Sequence, residues 1–598
     1  MAEEPLRPGE SDPAPPGPGV SDDAAPGSPA EAESSAAQDA AAVSEARADR
    51  GRSAAGLVAS GIFLSRLLGL VRESAIGFFF GLGPHADVFR VALKTPNFLQ
   101  NLLGEGTISA AFIPIYSRMI EEGRREDAGR FAGAVLGLLV AVTSAVVLGG
   151  ILLARPLLTI LLPGWLADDA RVAAGELSID RFELAVQTVR ITFPMAGVLV
   201  LSAWALGVLN SHRRFFLAYA APVLWNVAII AGLAVGAFFL LEVPARELAV
   251  LPAGATTQIL FAGLIGALVG GFLQFAVQMP SVLREIRGLR PSLSMEVEGV
   301  RPALKAFGPV VLGRGAYQLS GYLDTFLAGF LAAGAVAAQN AALVLYLLPI
   351  SLFGMSVAAS ELPELSRISQ AGLASFLDRV ERSLRQILYL VIPTAIGYLV
   401  FGLLVIGAFY ERGAWGPTDT WLVYLVLCAY TLGLAATTAT RLIQNAFYAL
   451  GDTRTPARIA IARLASSAAI GAVLMLLLDG FSVQGVLDLP FADWALRLGA
   501  VGLALGAAVG AWLELFLLNR ALRRRDPTFH LPWRAAGRMT ALSVAAALPA
   551  AGVWWLLPAW PALGAGAVVL ALYGAAYLGL GRALRFEEGE VWLGRLRR

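Results

Sequence analysis

Cysteine is all but missing from this sequence. Cys428 stands alone in 598 residues, so no intramolecular disulfide and no thiolate metal site can form within the chain. Histidine is nearly as scarce: His85, His212 and His530 are scattered without an HExxH or similar spacing, which argues against a catalytic metal. Charge is thin as well. Asp, Glu, Lys and Arg make up only 15% of the chain against 57% hydrophobic residues, and mean hydropathy is +0.67. A soluble protein of this size needs a charged surface that this composition cannot supply. No GxxxxGK[ST] loop is present to bind ATP, and no connection carries the clustered carboxylates or histidines that a membrane-embedded glycosyltransferase or phosphatase would need. The expectation is a protein that is not an enzyme, needs no cofactor and binds no nucleic acid.

What the chain has instead is a series of apolar runs of about 20 residues or more, each able to cross a hydrocarbon core about 30 Å thick. They predict an all-α polytopic membrane protein of about 14 transmembrane helices. Spans one to seven lie near 54–80, 86–117, 129–154, 180–209, 215–241, 258–283 and 303–333. Spans eight to fourteen lie near 335–362, 383–409, 419–450, 456–478, 498–519, 534–557 and 560–583. Connections after even-numbered spans hold roughly 23 basic residues and those after odd-numbered spans about 6, so both termini are expected in the cytoplasm. Residues 1–50 carry eleven acidic side chains and three arginines among Ala, Pro, Gly and Ser, with no aromatic residue; a disordered cytoplasmic tail is expected. Residues 584–598 are read as a second, short cytoplasmic tail.

A repeat organises the spans. After span two the chain reads Ile113-Pro114-Ile115-Tyr116-Ser117-Arg118, and after span eight Leu362-Pro363-Glu364-Leu365-Ser366-Arg367. A second pair of basic turns, Leu209 to Phe215 and Leu450 to Pro456, recurs at nearly the same offset. Six helices separate the copies, an even number, so the halves run parallel and are related by a pseudo-two-fold axis along the membrane normal. The predicted domains are a six-helix lobe over 54–285, a second over 301–522 and an accessory pair over 534–583. The accessory helices could hold a lipid tail or insulate the bundle.

Charge inside the spans is the best pointer to function, because a Lys or Arg at mid-membrane costs at least about 2.5–3.5 kcal/mol unless it meets water or a partner. Span one carries Arg66, Arg72 and Glu73. On span two, Asp87, Lys94 and Asn101 fall at steps of seven, with Asn97 and Glu105 beside them, so one polar stripe runs its length. For Glu73 and Arg90 a structural ion pair is the simpler reading. Arg66, Arg72 and Lys94 exceed what local carboxylates can neutralise if Asp87 and Glu105 are otherwise engaged, and an excess cation in a cavity invites an anion. Guanidinium forks suit phosphate oxygens, so a diphosphate is the natural guest. The second lobe is poorer in charge. Asp324 on span seven could bind a sodium ion or a proton, or form a plain ion pair; Glu514 on span twelve is expected to be solvated.

These residues together resemble the lipid II flippase (MurJ/MviN) family of peptidoglycan synthesis, within the multidrug/oligosaccharidyl-lipid/polysaccharide exporter superfamily. The resemblance is carried by Ser65-Arg66-Leu67-Leu68-Gly69-Leu70-Val71-Arg72-Glu73, Ala86-Asp87, Lys94-Thr95-Pro96-Asn97-Phe98, Gly104-Glu105-Gly106 and Ala111-Phe112-Ile113-Pro114. Phe307-Gly308-Pro309, Glu411-Arg412-Gly413 and the stretch from Ala446 to Pro456 agree. It implies flipping of lipid II from the cytoplasmic to the periplasmic leaflet of a bacterial inner membrane by alternating access. Arg66, Arg72, Asp87 and, more weakly, Glu105 would line a cationic cavity for the head group, and spans thirteen and fourteen would form the groove for the polyisoprenyl tail.

Two departures stand out. Gln100-Asn101 occupies the place where the family often has a further cavity arginine, and Leu343-Val344 the place where some members have Asp-Arg. Arg314 and Arg90 are expected to replace the lost charge, which gives a head-group set of Arg66, Arg72, Asp87, Lys94, Glu105, Arg90 and Arg314. Energy would come from Na+, H+, the membrane potential or consumption of the product. Expected partners are lipid II, membrane lipids, and cell-wall synthesis and division proteins. The alternatives are a flippase for another polyprenyl-diphosphate glycan and a cation-coupled multidrug exporter of the same superfamily.

Overall fold

In hydrocarbon every backbone N–H and C=O must find its partner inside the protein, which leaves long helices as the way to bury these apolar runs. The computed structural model is accordingly almost wholly helical, and its only β pairing among the described residues is an isolated bridge between Ser482 and Arg497. It describes residues 64–355, 365, 367, 368, 372–487, 496–557 and 560–590. The expected tail over 1–50 and residues 591–598 lie outside them. Ten helices among the described residues are long and apolar enough to cross a bilayer, and the pair Pro417–Thr431 and Leu434–Ala449, bent by 41°, makes an eleventh span. The helices at 64–80, Pro84–Leu103 and Val300–Ala328 correspond to spans one, two and seven, and they carry the polar residues singled out above.

The breaks have local causes. Span two divides into Pro84–Leu103, Glu105–Ala111 and Ile113–Glu121. At Gly104 a Cβ would collide with the carbonyl oxygen of Gln100, so only glycine lets the chain turn there. Span eight, Ala335–Pro349, passes at its proline into a wide-turn segment, Ile350–Met355. Span nine is longer than its apolar run: the helix Leu373–Tyr410 begins with an amphipathic turn that buries Phe376, Leu377 and Val380.

Helices within 84–285 pack mainly on one another, as do those from span eight to span twelve. Span thirteen, Trp533–Trp555, and span fourteen, Ala562–Ala583, lie on each other and on span nine. Span seven touches helices of both groups: Pro84–Leu103 and Glu105–Ala111 on one side, Arg454–Leu478 and Gly499–Arg523 on the other. Small residues make the close crossings, as expected where lipid offers no hydrophobic drive between helices. Gly506 of span twelve lies against Gly471 of span eleven, and Gly266 of span six against Gly232 of span five.

Small residues also fix the connection between spans six and seven. Gly129, Gly133 and Gly137 form one seam along the helix Arg125–Leu152, and the chain over 287–292 lies in it. Ser292 N donates to Gly133 O at 3.4 Å. A Cβ at these glycines would overlap the carbonyl oxygens of Arg287, Arg290 and Ser292 respectively. Beyond the seam, Arg124 is paired with Glu298 and with Asp127. Gly299 then turns the chain into span seven at φ +88°, a left-handed value that suits glycine. Replacing Gly133 by Val should lower stability by about 1–3 kcal/mol, the usual penalty of overpacking. The thermal midpoint in detergent reads it, and Gly149→Val, where nothing lies within 4 Å, should leave the midpoint unchanged.

Candidate functional site

Arg66 and Arg72, six residues apart on span one, both reach a cavity of about 420 Å³ between spans one, two, four, five, six and eight. No carboxylate is among its described lining residues, whereas amides are frequent: Asn97, Gln100, Asn226 and Gln274. Arg72 is held rather than loose. Its Nη1 donates to Asn226 Oδ1 at 3.1 Å, its Nη2 to Glu73 Oε1 at 2.7 Å, and its guanidinium lies 5.0 Å from the centre of the Trp225 ring. The amide of Asn226 is itself oriented, because Nδ2 donates to Pro222 O at 3.2 Å. Each terminal nitrogen of Arg72 keeps a second hydrogen, so the side chain is aimed but not saturated.

Both departures from the family pattern face this space. Gln100 and Val344 line it, and Leu347 and Leu348 continue an apolar wall from span eight. Arg90 does not line it. Arg90 is buried and donates through Nη2 to Glu73 Oε2 at 3.3 Å, so Glu73 serves two arginines from two helices. The side chains of Arg314 and Glu105 lie outside the described residues. Of the residues expected at the head group, the structure brings Arg66 and Arg72 together in one cavity and directs Arg90, Asp87 and Lys94 elsewhere.

Asp87 is fully buried, away from the cavity lining. Its Oδ2 accepts from Gly334 N at 2.7 Å, its Oδ1 from Ala337 N at 2.8 Å, and Arg181 Nη1 approaches Oδ2 at 3.3 Å. Gly334 and Ala337 open span eight, so the carboxylate caps the free N–H groups and the positive dipole end of a helix. Arg181 is fixed from behind by Asp168, with Nε to Oδ2 at 2.7 Å and Nη2 to Oδ1 at 3.1 Å, and stacks 4.7 Å from the Trp165 ring centre. Nearby, the Glu411-Arg412-Gly413 turn docks on the end of span one: Ala414 N donates to Phe78 O at 2.8 Å, and Ser74 Oγ donates to Phe409 O. These contacts close one end of the bundle.

Lys94 turns toward span seven. Its Nζ donates to Thr325 Oγ1 at 2.6 Å and to Gly321 O at 3.1 Å, while Tyr322 Oη donates back to Lys94 O at 2.6 Å. Asp324, on the same turn, lies within electrostatic reach of Lys94 and Arg463. Glu514, expected to be solvated, is buried at 1% exposure: Arg463 Nη1 donates to Oε2 at 2.6 Å and Gln444 Nε2 to Oε1 at 2.8 Å. Its partners sit on other helices, so span twelve alone carried no signal of the pairing. Among the described residues no three His, Cys, Asp or Glu side chains converge as metal ligands would.

A second hollow of about 420 Å³ is apolar and lies between spans nine, ten, twelve and thirteen. Leu388, Ile392, Ile396, Ala435, Trp512 and Trp533 are among its walls, and span fourteen contributes none of its described lining. The hollow needs four helices, so no single stretch of the sequence signals it.

The family model for the lipid II flippase MurJ matches residues 76–574. A probable lipid II flippase MurJ of Rhizobium tropici is 31% identical, over 85% of this chain and 87% of its own length. One from Haemophilus influenzae is 29% identical over 83% and 90%. The lipid II flippase MurJ of Burkholderia cenocepacia is 30% identical over 78% and 83%. Among solved structures, a lipid II flippase MurJ in an inward closed conformation superposes with a TM-score of 0.64 at 22% identity, covering 89% of this chain and 100% of that one. An inward-facing multidrug resistance transporter of the MATE family and MOP superfamily gives 0.57 at 14% identity, covering 77% and 96%. At these identities the structural likenesses show a shared fold.

The Asp87 contact yields a direct test. Asp87→Asn removes the charge from its bonds to two helix N–H groups and an arginine, each worth about 1.5–3 kcal/mol when charge-assisted. The end closed by Asp87 should open more often. A cysteine at Leu82, which is 3% exposed, placed in a Cys428→Ser background, should then react severalfold faster with a water-soluble maleimide than in the parent.

Proposed function

Because the chain belongs to the lipid II flippase MurJ family, we propose that it carries lipid II from the cytoplasmic to the periplasmic leaflet of a bacterial inner membrane. The chain is a multi-pass membrane transporter, not an enzyme. The observation that carries the substrate reading is the cavity lined by Arg66, Arg72 and four amide side chains, with no carboxylate among its described lining residues. A diphosphate supplies the oxygens that guanidinium groups bind best, and amide side chains suit sugar hydroxyls and peptide groups. The cation-coupled drug exporter is disfavoured by the same lining, since a cationic drug calls for carboxylates.

Positively charged connections after even-numbered spans put both termini in the cytoplasm. In that orientation the cavity occupies the cytoplasmic half, and the Asp87 contact with span eight closes the periplasmic end. The head group enters from the cytoplasm, neutralises Arg66 and Arg72, and is released once the two helix groups rock apart at Asp87. The polyisoprenyl tail stays in apolar surroundings throughout, and the hollow beside Trp512 and Trp533 offers it a path next to the accessory helices. Net movement is drawn by the membrane potential, an ion gradient, or the cell-wall enzymes that consume lipid II outside.

Reconstitution tests this. Vesicles loaded with lipid II in one leaflet should expose it in the other when they contain the protein. Arg72→Ala should slow exposure about 10- to 100-fold, as expected from losing charge-assisted bonds of about 1.5–3 kcal/mol. In cells lacking any other flippase, unchanged outer-leaflet lipid II after depletion of the protein would reject the proposal.

A further inference from the structure

The turn of span seven from Gly321 to Thr325 presents a backbone carbonyl and a hydroxyl to one point, which the Lys94 ammonium takes, and carries the Asp324 carboxylate beside it, beyond direct ion-pair distance. Thr325 Oγ1 lies at 2.6 Å and Gly321 O at 3.1 Å, with Asp324 in electrostatic reach. Carbonyl and hydroxyl oxygens are among the ligands that replace the hydration shell of a hard cation, and a carboxylate close by favours its charge. Here the cation is covalently attached to span two.

The surrounding charges agree. Asp324 has two cations in reach, Lys94 and Arg463, and Arg463 is paired in turn with the buried Glu514. Among the described residues these two cations and two carboxylates balance, which leaves no residual negative charge to attract a dissolved ion. Arg441, within electrostatic reach of Tyr346, adds positive charge to the region, not negative. The ammonium is also gripped from behind: it stands 5.8 Å from the Tyr322 ring centre, Tyr322 Oη donates to Lys94 O, and Phe98 packs edge-on against Tyr322 at 5.3 Å.

We propose that Lys94 is a tethered cation that fills an alkali-ion-like oxygen site on span seven, latching span two to span seven, so that transport requires no dissociable cation at Asp324. The proposal rests on the transporter reading for its role in the cycle but not for the site itself. It assigns Lys94 to the joint between the helix groups and leaves the head group to Arg66 and Arg72.

Removing the amine should turn the filled site into an empty one with one positive charge fewer, which a soluble cation can enter. Lys94→Met keeps the stem over Tyr322 and removes the charge; Lys94→Ala also leaves room for ethylammonium. The full chain is purified and its thermal midpoint measured with choline, sodium, potassium or ethylammonium as the sole cation, at equal ionic strength. The parent should be indifferent to the exchange. Lys94→Met should gain stability with sodium or potassium, and Lys94→Ala with ethylammonium, rising with concentration as a bound ligand requires. In lipid II vesicles both variants should fall about 10- to 100-fold in choline, the worth of charged hydrogen bonds, and regain activity with the matching ion. A parent protein that fails to move lipid II rejects the transport reading while the stability readout still judges the site. If no cation restores either variant, folded or not, or if the parent itself depends on sodium, the tethered-cation proposal is overturned.

Discussion

A carboxylate out of reach of water must be satisfied completely or not be charged at all, and Asp87 sets the arrangement of the helices around it. Two N–H groups at the start of span eight and the guanidinium of Arg181 surround it. Because Arg181 is braced by Asp168 and Trp165, the acceptor is rigid on one side, and span eight comes to it. Span eight therefore begins where the orphan donors of its first turn meet Asp87, and Val344 and Leu347 fall against the cavity as a result. The same contact makes the closure breakable, since a helix end is a discrete, reversible docking point.

The remaining intramembrane charges divide by whether they are neutralised within the protein. Arg463 with Glu514, and Lys94 with the Gly321 to Thr325 turn, are enclosed by partners from neighbouring helices. Glu73, Arg72 and Arg90 form a set with one cation in excess. That excess lies at the cavity, where Arg72 keeps free donor hydrogens and Arg66 stands nearby. A protein that must release its cargo needs such an incomplete set: fully paired arginines would ignore an anion, and unsupported ones would lose their aim. Asn226 and Trp225 supply the support without adding charge.

Much of this was legible from residues alone. Apolar run length predicted the helices; the break at Gly104 and the weakening at Pro349 have local backbone causes. The polar stripe of span two stands out in the sequence, and periodicity alone points it to one guest. Periodicity places Asp87, Lys94 and Asn97 near one another on a helix surface; it cannot say that three different neighbours meet that surface along its length. Glu514 failed for the same reason, because its partners Arg463 and Gln444 belong to other spans.

The sequence by itself determined that the chain crosses a membrane many times and which side chains would be expensive to bury, since both follow from transfer energies that act residue by residue. It also singled out Arg66, Arg72 and Lys94 as cations beyond what nearby carboxylates neutralise. Only the tertiary structure decided which charges cancel. Hydrogen bonds and ion pairs act over about 3 Å, so Asp87 becomes a cap for span eight, and Lys94 an ion for span seven, only once helices far apart in the chain are side by side.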